Sequence, residues 1–141
     1  MANPNIVNVT SIYGNTAYIV PATTVATPSA ANGVVSWTYN GTTALTGLTP
    51  NVASVNKIDS IVVTNTSASA VSATVAIGNN PTFASATVLG YIAYKISVPA
   101  NASLMVTDKT TTFYVTENQS VAVFSSAASS LTFVAAFEVI T

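Results

Sequence analysis

The sequence contains no cysteine, no histidine and no arginine, and its charged residues are three lysines and four acidic residues in 141 positions. A chain without histidine lacks the imidazole of the common Ser-His-Asp triads and of histidine metal sites. Without cysteine it has no disulfide, no thiol nucleophile and no zinc–thiolate site. We therefore expect a protein that is not an enzyme, with no catalytic residues, no cofactor and no metal.

The scarcity of charge excludes further classes of function. Charged residues make up 5% of the chain, against roughly 25% in an ordinary soluble domain. Three scattered lysines do not form the basic patch of a nucleic-acid binder, so we expect no nucleic-acid partner. Mean hydropathy is high, at +0.55, but no run approaches the roughly 18 apolar residues of a spanning helix. We expect neither a membrane partner nor a secretory signal.

Residues that favour β-strands dominate what is present. Val, Ile and Thr make up more than a third of the chain, and these β-branched residues pack well on a pleated surface. Apolar and other residues alternate with the period of a strand in several segments, which are 58–64, 71–77, 88–98 and 131–139. Shorter strands are predicted near 104–106, 113–115 and 121–123, and residues 65–70 are predicted to close a hairpin. The sequence predicts an all-β fold, an antiparallel β-sandwich of immunoglobulin-like or jelly-roll type with an extended N-terminal arm.

The first third of the chain is less regular than the rest. Strands are predicted over 12–20 and 34–39, the second closed by the turn dipeptide Asn40-Gly41. Residues 21–32 and 42–56 are rich in Ala, Thr, Ser, Asn and Pro and are predicted to be loops. We therefore predict a compact sandwich over 57–141, and over 1–56 an arm with extra strands and loops that pack on the same chain or on a neighbour.

Several apolar and aromatic residues of this N-terminal region are candidates for binding a partner. Aliphatic side chains in a free chain terminus need burial, either on the chain's own sandwich or on a neighbouring subunit. Exposed aromatics act as anchors in interfaces, whereas buried ones are ordinary core residues, and both alternatives are open for the aromatics here. The candidate partner-binding residues are Ile6, Val7, Val9, Ile12, Trp37 and Tyr39, and Tyr13 and Tyr18 share the two alternatives.

The charged residues give weaker signals. Glycoside hydrolysis requires two carboxylates on opposite sides of one cleft, and nothing in the sequence brings Glu117 and Glu138 together. The dipeptide Asp108-Lys109 and the i, i+2 pair of Lys57 and Asp59 are either solvated charges or ionic contacts to a partner. No acidic run has the closely spaced oxygen ligands of a calcium site.

Five segments resemble one family of proteins. Residues 1–12 (MANPNIVNVTSI) resemble the opening of small virion proteins encoded by marine tailed phages, notably cyanobacterial phages. Further similarity lies in KIDSIVVTN at 57–65, YIAYKISVPANASL at 91–104, FYVTENQS at 113–120 and FEVI at 137–140. The turn in FYVTENQS is less acidic than the family pattern, and residues 21–50 have no clear counterpart.

The resemblance implies a structural role and carries no catalytic residues. A family member would be a virion protein assembled in the host cytoplasm, and we expect a capsid decoration (cement) protein bound in many copies to the outer shell. The expected partners are copies of itself, a trimer by family-level analogy, together with the major capsid protein or other virion proteins. The alternative is a neck, tail or fibre component, including a carbohydrate-binding adhesin.

Overall fold

The computed structural model describes residues 8–39, 41–83 and 87–141. The described residues form an all-β fold. In chain order its strands are β1 (Ile12–Ile19), β2 (Ser36–Tyr39), β3 (Thr43–Thr46), β4 (Val55–Asn65), β5 (Val71–Gly78), β6 (Val88–Val98), β7 (Ser103–Thr107), β8 (Phe113–Val115), β9 (Ser120–Ser125) and β10 (Leu131–Ile140). No helix in this part of the chain is long and apolar enough to cross a membrane.

Two antiparallel sheets pack face to face within the described residues. The larger sheet has seven strands, six of them in the order β3-β2-β1-β10-β4-β7. The seventh, β8, pairs with the first half of β4, whereas β7 pairs with its second half. The smaller sheet has three strands in the order β6-β5-β9. The predicted antiparallel β-sandwich is therefore confirmed.

The alternation of side chains along the strands explains the core. In β10, Leu131, Phe133, Ala135 and Phe137 are buried, while Val134 between them is exposed. Strand β4 follows the same rule until a bulge opposite Ala136 and Phe137 inserts one extra residue. These inward side chains meet those of the smaller sheet in one cluster of buried residues, which also contains Trp37 and Leu48.

The connections differ from the sequence prediction at one important place. Residues 65–70 were expected to form a hairpin, but β4 belongs to the larger sheet and β5 to the smaller one. The segment is therefore an arch that crosses the sandwich, and the hairpin prediction is wrong. A period-2 pattern gives the face that a strand buries but does not identify its hydrogen-bonded neighbour.

The N-terminal region contributes to the sandwich itself. Strand β1 lies between β2 and β10 in the larger sheet, paired with β10 over its whole length. Thr43–Thr46, expected to be loop, is strand β3 of a hairpin with β2. Strand β4 begins at Val55, so the structure has no break at the predicted boundary between residues 56 and 57. The described part of residues 1–56 therefore consists of extra strands and packed loops.

A second, smaller core covers the outer surface of the smaller sheet. Ala76, Ala122 and Phe124 pack there against Val25 and Phe83, which come from loops. The rings of Phe83 and Phe124 meet edge to face, with centroids 6.0 Å apart. Every residue of β9 is buried as a result.

Candidate functional site

The outer face of the larger sheet carries a line of apolar side chains. The register pairs Tyr18 with Val134, Val134 with Val62, and Val62 with Met105, across β1, β10, β4 and β7. These four residues share the outward face because their neighbours, such as Ala17, point into the core. We call Tyr18, Val134, Val62 and Met105 the apolar row.

The apolar row is accessible to a partner. Met105 is 57% exposed, Tyr18 42% and Val134 37%. Ile12 lies on the same outward face of β1 and is 58% exposed, opposite Ile140 of β10. Isolated exposed aliphatic residues are normal on protein surfaces, but a contiguous apolar stripe on a sheet face is typical of an interaction site.

A shallow depression of about 610 Å³ lies on the same face, beside the apolar row. Two carboxylates and several small residues line it together with Phe137; the lining residues are Gly14, Asn15, Thr16, Asp59, Ala136, Phe137 and Glu138. Nothing lies within 4 Å of the position that a Cβ on Gly14 would take. The small residues therefore leave the backbone of β1 and β10 accessible to close contact with a partner.

The carboxylates of the depression share one lysine. Lys57 Nζ lies 3.0 Å from Asp59 Oδ1 and 3.2 Å from Glu138 Oε2. Lys57 and Asp59 are two residues apart in β4, so their side chains leave the same face of the strand, and Glu138 is the register partner of Lys57 in β10. Hydrogen bonds to Asp59 first and to Glu138 second raise the pKa of Lys57 above its ordinary value. Lys57 is therefore a cation at neutral pH and not a nucleophile or a base.

The second charged pair of the sequence adjoins this group. Lys109 lines a small hollow together with Lys57, Asp59, Glu138 and Thr112. Asp108 itself is engaged in its own turn, where Thr110 donates to Oδ1 from its hydroxyl at 2.6 Å and from its backbone N–H at 2.9 Å. These bonds, led by the Thr110 hydroxyl, lower the pKa of Asp108. The hollow is thus lined by two lysines and two carboxylates, so its own charges are equal in number.

The carboxylates of this region are not the pair considered from the sequence. The structure brings Glu138 together with Asp59, not with Glu117, which lies in the turn between β8 and β9. Asp59 and Glu138 contact the same ammonium group, that of Lys57. Within the described ranges, no three His, Cys, Asp or Glu side chains come together as a metal site would require.

The sequence-predicted partner residues are distributed over different environments. Trp37 is fully buried in the chain's own core, where its indole Nε1 donates to Val121 O at 3.1 Å. Trp37 is thus a core residue and forms no exposed anchor, which corrects the choice of Trp37 as a partner-binding residue. Tyr39 is half-buried at the edge of the same core. Ile6 and Val7 lie outside the described residues.

Other predicted residues are exposed. Val9 is 48% exposed, like Ile12, and the chain's own sandwich leaves both side chains largely in solvent. The backbone N–H groups of Thr10 and Ser11 donate to the carbonyl of Thr141, which fixes the chain just before β1. The apolar row beyond Tyr18 was missed by sequence reasoning, because its members are single apolar residues on strands whose pairing is not readable from the sequence.

Comparison with known proteins adds no relative. No protein-family model, no curated protein and no solved structure matches the chain.

Proposed function

We propose that the chain is a non-enzymatic structural protein of a phage virion, a capsid decoration protein that binds the outer shell in many copies. The observation that carries the proposal is the exposed outer face of the larger sheet, with its apolar row, its open backbone and its self-neutralised charges. The resemblance of five sequence segments to small phage virion proteins gives the biological setting.

The outer face suits weak binding repeated many times. Burial of apolar surface contributes roughly 25 cal/mol per Å² before the costs of association are subtracted. Many copies then hold a shell together although each contact is modest. Because the charges of this face pair with each other, binding depends little on salt. Ile12 extends the same face, and the predicted contacts of Ile6, Val7 and Val9 with a neighbouring subunit remain part of the proposal.

The test is rebinding of purified protein to shells that lack it. Val134→Asp places a charge in the middle of the apolar row, and we expect it to reduce occupancy at least tenfold, about 1.4 kcal/mol per site. Leu89→Asp is the control, because Leu89 is an apolar residue on β6 of the smaller sheet and is more exposed than Val134, at 54% against 37%. Equal loss of occupancy in both variants, with both folded by circular dichroism, contradicts the use of this face.

A second variant tests the N-terminal contacts. Removal of residues 1–9 spares Thr10, Ser11 and their bonds to Thr141, so β1 keeps its anchor. We expect this truncated protein to fold and to bind shells less well than the full chain. Unchanged occupancy means that Ile6, Val7 and Val9 do not contribute to binding.

A neck, tail or fibre component is the second candidate, and one observation favours it. Tyr91 and Tyr94 are both exposed on β6, with ring centroids 4.8 Å apart, and Lys95 Nζ lies 5.5 Å from the Tyr94 ring. Exposed aromatic pairs serve as anchors for partners. Copy number separates the two candidates: on the order of hundreds per particle indicates decoration, and about 3 to 12 indicates a symmetric neck or tail ring. Light scattering on the free protein tests whether copies form a trimer.

A further inference from the structure

The two sheets differ in width, and this leaves part of the sandwich interior open at one end. Ala17 and Ile19 of β1 are buried between the sheets. Tyr13 lies on the same face of β1, nearer to the start of the strand, and is exposed. A groove of about 370 Å³ lies at this end of the inner face. Its lining comes from β1, β2, β3, β4, β10 and the segment 49–51.

An unpartnered polar atom belongs to the lining of this groove. Asn56 is 2% exposed and lines the groove, and its Nδ2 donates to Leu48 O at 2.8 Å. Its Oδ1 is buried and has no hydrogen-bond partner among the described residues. Buried polar atoms without a partner are rare in native proteins, and each one calls for an explanation. Asn56 borders the groove, but its Oδ1 has almost no accessible surface, so a ligand donor reaches this atom only when the side chain turns towards the groove.

The other lining residues define the chemistry of such a ligand. None of them is charged, so the groove offers nothing to balance a charged ligand. Tyr13 and Tyr39 contribute aromatic rings to the lining, and Asn15 and Asn51 contribute amides, whereas the Thr49 hydroxyl already donates to Gln119 O. Aromatic rings can pack against the C–H face of a sugar, and amides can form hydrogen bonds with its hydroxyl groups. The lining therefore suits a neutral ligand that has both apolar and hydroxyl-bearing surfaces.

We propose that this groove binds a neutral saccharide, with a pyranose ring against Tyr13 and a sugar hydroxyl donating to Asn56 Oδ1 once that side chain has turned towards the groove. The volume lies at the small end of ligand sites, which are about 300 to 1,000 Å³, and suits one or two sugar rings. The site is separate from the proposed shell-binding function, because it uses the inner surface of the larger sheet at the open end of the sandwich. Its failure therefore leaves the proposal for the outer face untouched.

The experiment is a titration of ¹⁵N-labelled full-length protein, followed by amide chemical shifts. The probes are free galactose and N-acetylglucosamine, with glucuronate as the charged counterpart. We expect saturable shifts for a neutral sugar, centred on Tyr13, Asn56 and Asn51, and little response to glucuronate. Absence of saturable shifts at these residues with both neutral sugars overturns the proposal, and so does equal binding of glucuronate.

A variant and a competitor make the test specific. Tyr13→Ala removes an exposed ring and is expected to raise Kd about tenfold, whereas Tyr114→Ala, an exposed tyrosine of β8, is expected to leave Kd unchanged. An unchanged Kd for Tyr13→Ala overturns the assignment. A nonapeptide with the sequence of residues 1–9 is titrated in parallel. Saturable binding of the peptide at the groove without sugar binding overturns the saccharide proposal in favour of a polypeptide occupant.

Discussion

Gly47 occupies a position that does not accommodate a side chain. Its φ is +65°, and the next residue, Leu48, is also left-handed at +53° although it is fully buried. A Cβ on Gly47 would overlap with Ser120 Cβ and would lie 2.9 Å from Pro81 O. The backbone of Gly47 donates to Val35 O and accepts from Val121 N–H, so it links the β2–β3 hairpin to the smaller sheet.

We predict that Gly47→Ala lowers the free energy of unfolding by about 3 kcal/mol or more. About 1–2 kcal/mol comes from the left-handed backbone, and the rest from displacement of rigid neighbours in a packed region. Gly14→Ala is the matched control, because its Cβ meets open space and its expected change is within about 0.5 kcal/mol. Urea unfolding followed by circular dichroism measures both. Equal stability of the two variants contradicts the close approach at Gly47.

At this scale the sequence predicted some environments and left others open. The sequence left open whether Trp37 is a core residue or an interface residue. Its indole N–H donates to Val121 O inside the core, and this hydrogen bond explains how the ring can be buried. Nothing in the composition of residues 42–56 indicated that Leu48 is fully buried. Burial of a loop residue depends on the path of the chain in three dimensions, and sequence periodicity does not report that path.

The side chain of Asn65 makes several of the hydrogen bonds that hold the arch between β4 and β5. Asn65 is almost fully buried at the end of β4, and its Nδ2 donates to Ser69 O at 2.8 Å and to Val98 O at 3.0 Å. Its Oδ1 accepts from the backbone N–H and the hydroxyl of Ser67. All four of these hydrogen bonds lie where the chain crosses from one sheet to the other. An amide is required because the partners include both acceptors and donors.

We predict that Asn65→Asp destabilises the protein by about 3 kcal/mol at neutral pH, because the carboxylate oxygen that replaces Nδ2 is buried against the carbonyl oxygens of Ser69 and Val98 and has no donor. Burial raises the pKa of the new carboxyl group, so the destabilisation shrinks as pH falls towards about 4, where the protonated group donates again. Asn101→Asp adds the same charge at an exposed turn and is expected to show a much smaller loss. A loss at Asn65 that is independent of pH contradicts this role.

The strands themselves show where sequence patterns succeed and where they fail. In β10 the predicted inward residues from Leu131 to Phe137 are buried. In β6 the pattern placed Tyr94 on one face with Ile92 and Ile96, yet Tyr94 is exposed next to Tyr91. Pairing of β6 with β5 shifts register three times, and Lys95 has a positive φ of 49°. Bulges break the period of two, and a single sequence gives no signal for them.

Considered as a whole, the molecule protects its sheet edges with little charge. Charged side chains often prevent edge strands from pairing with other chains, and here they are scarce. The edge of β9 is covered instead by the chain itself, since Val34 pairs with Val123 and Val25 N–H donates to Ser125 O. The scarcity of charge predicts that such edges are covered by other means. Nothing in the sequence predicts that residues 21–35 supply the cover.

The candidate surfaces also exist only at the level of the whole chain. The saccharide groove joins Tyr13 near the start of the chain to Val139 near its end, and the apolar row joins four strands. The sequence indicated that exposed tyrosines were candidates for binding, but their neighbours are fixed by strand order. Strand order depends on long-range pairing that no local pattern specifies.

The same scarcity of charge predicts the pH dependence of stability. Two perturbed groups bound the pH range. Lys57 has a raised pKa in the folded protein, so its contribution is complete below the ordinary lysine pKa of 10.5 and is lost as pH rises through the folded pKa. Asp108 has a lowered pKa, so its contribution is present above the ordinary aspartate pKa of 3.8 and is lost as pH falls through the folded pKa.

Because the sequence has no histidine and no cysteine, we predict that the free energy of unfolding is nearly constant between about pH 5 and pH 9. Urea unfolding at intervals across this range and beyond it measures the profile. Lys57→Met is expected to flatten the decline on the alkaline side, whereas Lys95→Met, which removes an exposed lysine outside the ion group, leaves that decline in place. Asp108→Asn is expected to reduce the decline on the acid side. A steep change near pH 6 to 7, where no side chain of this chain ordinarily titrates, contradicts the assignment of both limbs to these two residues.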